Sequence, residues 1–191
     1  MPRRSRPPAI GAAILATLLI GGAGQPALAD QDDPRLDGLF ERLRTTSSPA
    51  EARVVEQHIW RVWLEADDAG IDRLMQQGIL AMQDQRYGAA LQAFDHMVEQ
   101  APEFAEGWNK RATVHFLMGN WQASVLDIQK TLALEPRHFG ALFGLGLIYE
   151  GLGQPEAALR SFESTLALNP LSTSTRRKIE ELRERLRGSP T

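Results

Sequence analysis

The sequence predicts an all-α fold made of stacked helical hairpins, because it repeats itself at a fixed interval. Pro102, Pro136 and Pro170 stand 34 residues apart. The small and aromatic residues before each proline recur at the same offsets. A fixed period of roughly 20–50 residues is typical of solenoids, in which each unit is one supersecondary element. The predicted units are residues 71–104, 105–138 and 139–172.

The N-terminus has the features of a cleavable export signal, residues 1–29. Arg3, Arg4 and Arg6 precede an uncharged apolar run over residues 10–20, and Ala27-Leu28-Ala29 provides an A-x-A cleavage site. We expect cleavage after Ala29. The alternative is an uncleaved membrane anchor, but an anchor needs roughly 20 apolar residues. After cleavage we expect no association with the membrane.

Composition narrows the classes of partner. Because Arg3, Arg4 and Arg6 leave with the signal, the formal net charge falls from −3 to −6. Phosphate binding needs a basic stripe, so no nucleic-acid partner is expected. The chain has no cysteine, which excludes a thiolate nucleophile and a cysteine-ligated metal. Packing alone must therefore hold the exported chain together.

Residues 30–70 predict an acidic tail followed by a helical hairpin. Apolar residues at helical spacing mark its two helices, and Ser48 and Pro49 are the expected N-cap and first residue of the second helix. The hairpin is in register with the 34-residue repeat, with Trp60 and Trp63 at positions 24 and 27 of a unit. Glu56 stands where the repeats have a small residue. We interpret this hairpin as an N-terminal cap or a degenerate unit.

Each predicted unit is a helix, a turn and a second helix. Small residues in the first helices should let the two helices of a hairpin approach closely, and large residues in the second helices should fill the space beside them. The small residues are Gly78, Ala112 and Gly146, and the large ones are Phe94, Ile128 and Phe162. Residues 173–187 then predict a highly charged C-terminal capping helix, with Ile179, Leu182 and Leu186 on its apolar face.

These units resemble tetratricopeptide repeats. The match is best in residues 139–172, and it departs in the second unit, where Arg111 replaces a usual leucine and His115 a usual tyrosine. The matching residues of the third unit are Leu142, Leu145, Gly146, Tyr149, Ala158, Phe162 and Pro170. The resemblance implies a right-handed superhelical solenoid that acts as a non-enzymatic scaffold or adaptor. The chain is also similar to small exported repeat proteins of Gram-negative bacteria, which implies a periplasmic location and an envelope protein as partner.

In tetratricopeptide folds the first helices line a concave groove, and the resemblance places eight candidate binding residues there. They are Met75, Ile79, Met82, Asn109, Thr113, Phe116, Phe143 and Leu147. This largely apolar lining suits an amphipathic helix or an extended apolar segment of a partner. Met75, Ile79, Gly140 and Gly144 occupy positions where some family members carry a carboxylate clamp, so no such clamp is expected.

Two alternatives remain open from the sequence. The N-terminal hairpin or the C-terminal helix could cover the groove, making these residues part of the core, or the groove could pair with a second copy in a homo-oligomer. Lys110 and Arg111, beside the groove, could pair with an acidic partner or form part of a solvated face. The sequence does not name the partner or the pathway.

No arrangement of residues predicts catalysis. The four histidines are scattered, and none has a second ligand at i, i+4 spacing. The motifs of zinc proteases, serine hydrolases and phosphate-binding loops are missing. We expect His115 to be a half-buried core residue. We therefore expect that the protein is not an enzyme and that it has no catalytic residues, no cofactor and no metal site.

Overall fold

The computed structural model describes residues 33–188, and in this range every regular element is an α helix. The predicted all-α solenoid is confirmed. The helices are α1 (Arg35–Thr45), α2 (Pro49–Leu64), α3 (Ala69–Gln83), α4 (Tyr87–Gln100), α5 (Ala105–Leu117), α6 (Trp121–Leu134), α7 (Phe139–Gly151), α8 (Pro155–Leu168) and α9 (Thr173–Gly188). None of these helices is long and apolar enough to span a membrane. The expected export signal, residues 1–29, lies outside the described residues.

The pairs α3–α4, α5–α6 and α7–α8 turn in the same way. The middle residue of each turn has a positive φ, which is 58° at Gln85, 76° at Gly119 and 68° at Gly153. The next residue donates its N–H to the carbonyl five positions earlier, as Asn120 does to His115 at 2.8 Å. This closure ends the first helix and returns the chain antiparallel. Glycine adopts a positive φ freely, whereas Gln85 is strained there.

Small residues let the helices of each hairpin approach closely, as predicted. A Cβ on Gly78 would lie 2.4 Å from the Phe94 ring, and a Cβ on Gly146 would lie 2.6 Å from the Phe162 ring. Both rings are fully buried. In the second unit, Ala112 is buried in the same cluster as Ile128.

The core of one unit includes a residue from the first helix of the next unit. Val114 of α5 is buried in the core of the first unit with Phe94 and Met97. Ile148 of α7 is buried in the core of the second unit with Ile128. Each unit is thereby stabilised by the units that adjoin it in sequence, as in other solenoids.

The N-terminal hairpin α1–α2 lies across this array and does not stack on α3 in register. Its second helix begins as predicted, because Ser48 Oγ accepts the N–H of Glu51 at 3.3 Å and Pro49 follows. Its buried residues, including Trp63, form one cluster with Phe139 of the third unit. Leu168 and Leu171 pack at the edge of that cluster.

The junction between α2 and α3 differs from the junctions between units. Glu65, directly after α2, is extended, with φ −76° and ψ 131°. The residues directly after α4, α6 and α8 have φ near −128° and smaller ψ: Ala101 (−129°, 69°), Glu135 (−129°, 94°) and Asn169 (−127°, 79°). Asp68 stands where the repeats have proline, and its Oδ1 caps α3 by accepting N–H groups from Gly70 at 2.6 Å and Ile71 at 3.0 Å. The altered junction directs the hairpin away from the stack.

The C-terminal helix α9 covers the end of the array formed by the third unit. Ile179 and Leu182 are buried against Phe162 of α8. Lys178 Nζ lies 3.0 Å from a carboxylate oxygen of Glu150 in α7, and Arg185 pairs with the same carboxylate. An apolar stripe facing the array and a charged outer face make α9 a cap.

Candidate functional site

Helices α5 and α7 face each other across an open apolar pocket of about 250 Å³. Phe116 and Leu117 come from α5, Phe143 and Leu147 from α7, and Ile128 from α6. The other lining residues are Asn109, Ala112, Thr113, Ser124, Gly140, Ala141, Gly144 and Ile148. Pockets for drug-sized ligands range from roughly 300 to 1,000 Å³. The size therefore suits one large or two smaller side chains of a partner segment.

The polar groups at the pocket already have partners within the chain. Thr113 Oγ1 donates to the carbonyl of Asn109 at 2.9 Å, and Ser124 Oγ donates to the carbonyl of Ala112 at 2.8 Å. Asn109 Nδ2 donates to Glu106 at 2.9 Å. Because these groups already donate within the chain, a polar ligand group placed here would find few hydrogen-bond partners to replace water. The pocket is therefore suited to purely apolar side chains.

The space around two glycines of α7 shows which part of the pocket is open. A Cβ on Gly144 would meet only Ile128 Cδ1, at the ordinary contact distance of 3.7 Å, so the space above Gly144 is free. A Cβ on Gly140 would lie 2.4 Å from the Trp60 ring of α2. The N-terminal hairpin therefore closes the pocket at Gly140 and leaves it open at Gly144.

Aromatic rings attach the hairpin at this closed end. Trp60 meets Phe139 edge-on, with ring centroids 5.4 Å apart, and Lys110 Nζ lies 5.5 Å from the centroid of the Trp60 ring. Trp63 is buried and stacks on His138, with centroids 4.1 Å apart and planes 9° from parallel. The hairpin thus covers one end of the groove. Such covering was one of the alternatives that the sequence left open.

A buried polar cluster lies beneath these tryptophans. His138 Nε2 is 2.8 Å from Glu106 Oε2, and His138 Nδ1 accepts the N–H of Ala141 at 3.1 Å. Because Nδ1 acts as acceptor, the imidazole proton is assigned to Nε2, which donates to Glu106. Lys110 Nζ lies 2.8 Å from the other oxygen of Glu106. Each oxygen of a carboxylate that is only 1% exposed thus lies 2.8 Å from a nitrogen, Oε2 from His138 and Oε1 from Lys110.

The charge of Glu106 is stabilised in this position. Burial raises the pKa of its carboxyl group, but the Lys110 charge and the His138 hydrogen bond outweigh burial and lower the pKa to about 2. Glu106 is therefore ionised at neutral pH. Lys110 is committed to it, so it is neither free for an acidic partner nor part of a solvated face.

Arg111 also pairs within the chain, contrary to both expectations for it. Its guanidinium donates to the two oxygens of Asp127 in α6, at 2.7 and 2.8 Å, and to Asp95 in α4 at 3.0 Å. It also lies 4.8 Å from the centroid of the Trp108 ring. The arginine at a usual leucine position thus joins the first two units with an ion-pair network. His115, beside it, is half-buried as expected, 3.9 Å from Asp127.

The eight residues predicted to line the groove separate into two groups. Asn109, Thr113, Phe116, Phe143 and Leu147 all line the α5–α7 pocket. Met75 is buried in the core of the first unit, and Ile79 and Met82 pack against that core. The pocket therefore includes the candidates from the second and third units but not those from the first.

Sequence reasoning missed the pairing of Glu106 with His138, which are 32 residues apart. The i, i+4 spacing of Glu106 and Lys110 on one helix could have indicated an ion pair at Glu106, but not its contact with His138. Among residues 33–188, no three histidine or acidic side chains lie close enough together to hold a metal ion.

Comparison with known sequences finds the same repeat in a family profile and in a bacterial relative. A family profile described as Tetratricopeptide repeat matches residues 75–130 and again 110–172. A TPR repeat-containing protein of Rhizobium etli is 36% identical to this chain over 157 residues, which are 82% of this chain and 77% of that protein.

Solved structures show the same fold at low identity. The first TPR of Spaghetti (RPAP3), bound to the HSP90 peptide SRMEEVD, aligns with a TM-score of 0.61 and 18% identity, covering 64% of this chain and 97% of that one. The crystal structure of MamA aligns with a TM-score of 0.58 and 20% identity, covering 82% and 84% of the two chains.

Proposed function

We propose, because the chain belongs to the tetratricopeptide-repeat family, that it is a non-enzymatic scaffold that binds an apolar segment of another protein in the α5–α7 pocket. The observation that carries this proposal is the pocket itself, which is open, apolar and bounded by Phe116 and Phe143. Burial of a partner side chain there would provide the affinity, and the rigid first helices would lower the entropic cost of binding.

The charges around the groove support an uncharged ligand. The RPAP3 domain binds an acidic peptide, SRMEEVD. In this chain Lys110 is paired with Glu106, and Gly140 and Gly144 bring no charge to the pocket. A carboxylate entering the pocket would therefore lose its hydration without meeting a free cation. The proposed ligand is a helix or extended segment that presents Leu, Met or Phe.

The test is photocrosslinking in intact cells with a photoreactive residue at position 116. Leu126 on α6 is 60% exposed and lies outside the pocket lining, so position 126 provides the matched control. We expect one dominant foreign protein to be captured at position 116 and not at position 126. Adding Gly144→Leu, which fills the open part of the pocket, should abolish that capture while the helix content stays unchanged.

Two outcomes would contradict the proposal. Capture that persists in the Gly144→Leu variant would place the contact outside the pocket. Capture of a second copy alone would favour the self-association considered from the sequence, and a sedimentation series would then show a concentration-dependent mass.

We also propose that the partner is an envelope protein and that this chain acts in the periplasm after cleavage at Ala29. The basic start, the apolar run and the A-x-A site before Asp30 support this location. Intact mass spectrometry of the protein purified from cell fractions tests it. The expected species begins at Asp30 and is found in the periplasmic fraction, whereas an intact N-terminus or a cytoplasmic fraction would contradict it.

A further inference from the structure

The outer face of the first unit is open, although the corresponding faces of the other units are covered. Leu80, Val114 and Ile148 occupy the same position of successive units, 34 residues apart. Val114 is 0% and Ile148 1% exposed, whereas Leu80 is 57% exposed. A shallow pocket between α3 and α4 surrounds Leu80 and includes Leu74 and Ala93. This face therefore continues the series of stacking interfaces but lacks a preceding hairpin.

The covered interfaces show what such a face accepts. A Cβ on Gly107 of α5 would lie 3.1 Å from Met97 Sδ of α4, and Arg111 Nη1 of α5 lies 3.0 Å from Asp95 Oδ1 of α4. Both contacts place the second helix of one hairpin on the first helix of the next. At the next interface the residue at the position of Met97 is Thr131, which is also buried, so the fitting occupant is a helix with an uncharged side chain at this position.

The chain's own α2 meets this requirement. Counting back 34 residues from Met97 and Asp95 gives Trp63 and Arg61, both in α2. Four residues link α2 to α3, as four residues link α4 to α5 and α6 to α7. In the groove, Trp63 Nε1 is buried with no hydrogen-bond partner among residues 33–188. The groove therefore does not satisfy this side chain completely.

We propose that the open face around Leu80 is a second docking surface for the α1–α2 hairpin of the same chain. The hairpin exchanges between the groove and this face, where it stacks as the unit preceding residues 71–104. Docking at the face uncovers Gly140, Lys110 and Phe139 and lengthens the groove. Only this consequence for ligand binding rests on the proposed function, since the exchange itself requires no partner.

The test uses thiol crosslinking, which the cysteine-free sequence permits. The full chain carries Arg61→Cys and Gln77→Cys, which replace exposed residues at the positions equivalent to Asp95 and Arg111. Gly140→Leu displaces the hairpin from the groove, because its Cβ collides with Trp60. Gly144→Ala, one helical turn away, makes only an ordinary contact with Ile128 and is the matched control.

With a short bismaleimide, we expect Gly140→Leu to raise the intramolecular crosslink between positions 61 and 77 several-fold over the parent. Gly144→Ala should leave the yield unchanged, and adding Leu80→Asp should remove the increase. A second pair, Glu56→Cys with Asn169→Cys, reports the groove position, because these side chains are hydrogen bonded at 3.0 Å. Its crosslink should fall in the Gly140→Leu variant.

The proposal is overturned if the 56–169 crosslink falls and the 61–77 crosslink does not rise. It is also overturned if the 61–77 product has the mass of a dimer, because the occupant is then a second copy. Circular dichroism verifies folding, and Gly140→Ala serves as a milder displacing variant. No partner is present in this experiment, so its failure would leave the pocket proposal standing.

Discussion

The N-terminal hairpin and the repeat units are similar in sequence but are joined to the rest of the molecule differently. In the units, positive-φ turns and matching junctions stack each hairpin on its neighbour. The hairpin α1–α2 keeps the register of the repeat, yet its turn at residues 46–48 has no positive φ and Glu65 is extended. Apolar periodicity therefore specifies a hairpin, whereas a few junction residues specify where the hairpin packs.

The strongest test of this comparison is whether the hairpin belongs to the cooperative core. Trp63 and Phe94, one from each region, are both essentially buried. We expect Trp63→Ala and Phe94→Ala each to lower the free energy of unfolding by about 3–5 kcal/mol. Urea denaturation followed by circular dichroism measures both. A cost below about 1 kcal/mol for Trp63→Ala alone would show that the hairpin is not part of the core.

The next effect is a pH dependence of the free energy of unfolding that arises from Glu106 at the hairpin's attachment site. The pKa of Glu106 is about 2 in the fold against an ordinary 4.5. Because the folded-state pKa is the lower one, its stabilisation is complete above about pH 4.5 and is lost as the pH falls towards 2. We expect Glu106→Gln to lack this loss, which should amount to a few kcal/mol in the parent.

Urea midpoints between about pH 5 and pH 2.5 measure this difference. Other carboxyl groups with lowered pKa values, such as Glu51 and Asp68, titrate in both proteins and cancel when the two profiles are subtracted. Parallel profiles would mean that Glu106 does not stabilise the fold through its charge.

A smaller change in the free energy of unfolding is expected when one glycine in each region is replaced by alanine. Gly78 in α3 has no room for a Cβ beside Phe94, whereas a Cβ on Gly38 in α1 meets nothing within 4 Å. Gly78→Ala should destabilise by about 1–3 kcal/mol through overpacking. Gly38→Ala should stabilise by about 0.5–1 kcal/mol through helix propensity. Thermal melts of both variants test this, and the same sign for both would contradict the packing described.

The smallest expected effect concerns the turns that distinguish the units from the hairpin. Gln85 has a positive φ of 58°, where the other two units have glycine. Gln85→Gly should raise stability by about 0.5–1 kcal/mol, since relief of strain exceeds the added entropy of the unfolded chain. Ser47→Gly, in the hairpin turn without positive φ, is the control and should not stabilise. Melting temperatures decide between these outcomes.

Much of the array could be predicted from the sequence because it depends on local pattern. The predicted helix, turn and second helix of each unit are observed as the pairs α3–α4, α5–α6 and α7–α8. The Ser48 cap follows from a local pattern of the same kind. The fit of Phe94 beside Gly78 follows from repeat spacing and residue size. These features involve residues close in sequence or at a fixed interval, so periodicity is sufficient to find them.

The position of the hairpin could not be predicted in the same way. It depends on the backbone of Glu65 and on pairs such as Glu56 with Asn169, which no periodicity relates. Glu56 stands at a small-residue position of the repeat, and its partner Asn169 lies in the segment after α8. The site was predicted in part for the same reason, since Phe116 and Phe143 follow the repeat whereas the cover from Trp60 does not.

The attachment of the hairpin also has a consequence for the order of folding. Arg137 bonds Asp37 across 100 residues, and Asn169 bonds Glu56 across 113 residues. The contacts within and between neighbouring units span far shorter loops, which close at a lower entropic cost. Refolding should therefore assemble the array first and dock the hairpin last. Docking joins the hairpin, which precedes the first unit, to the third unit. The first and third units are thereby connected both through the second unit and through the hairpin, so both ends of the array are restrained.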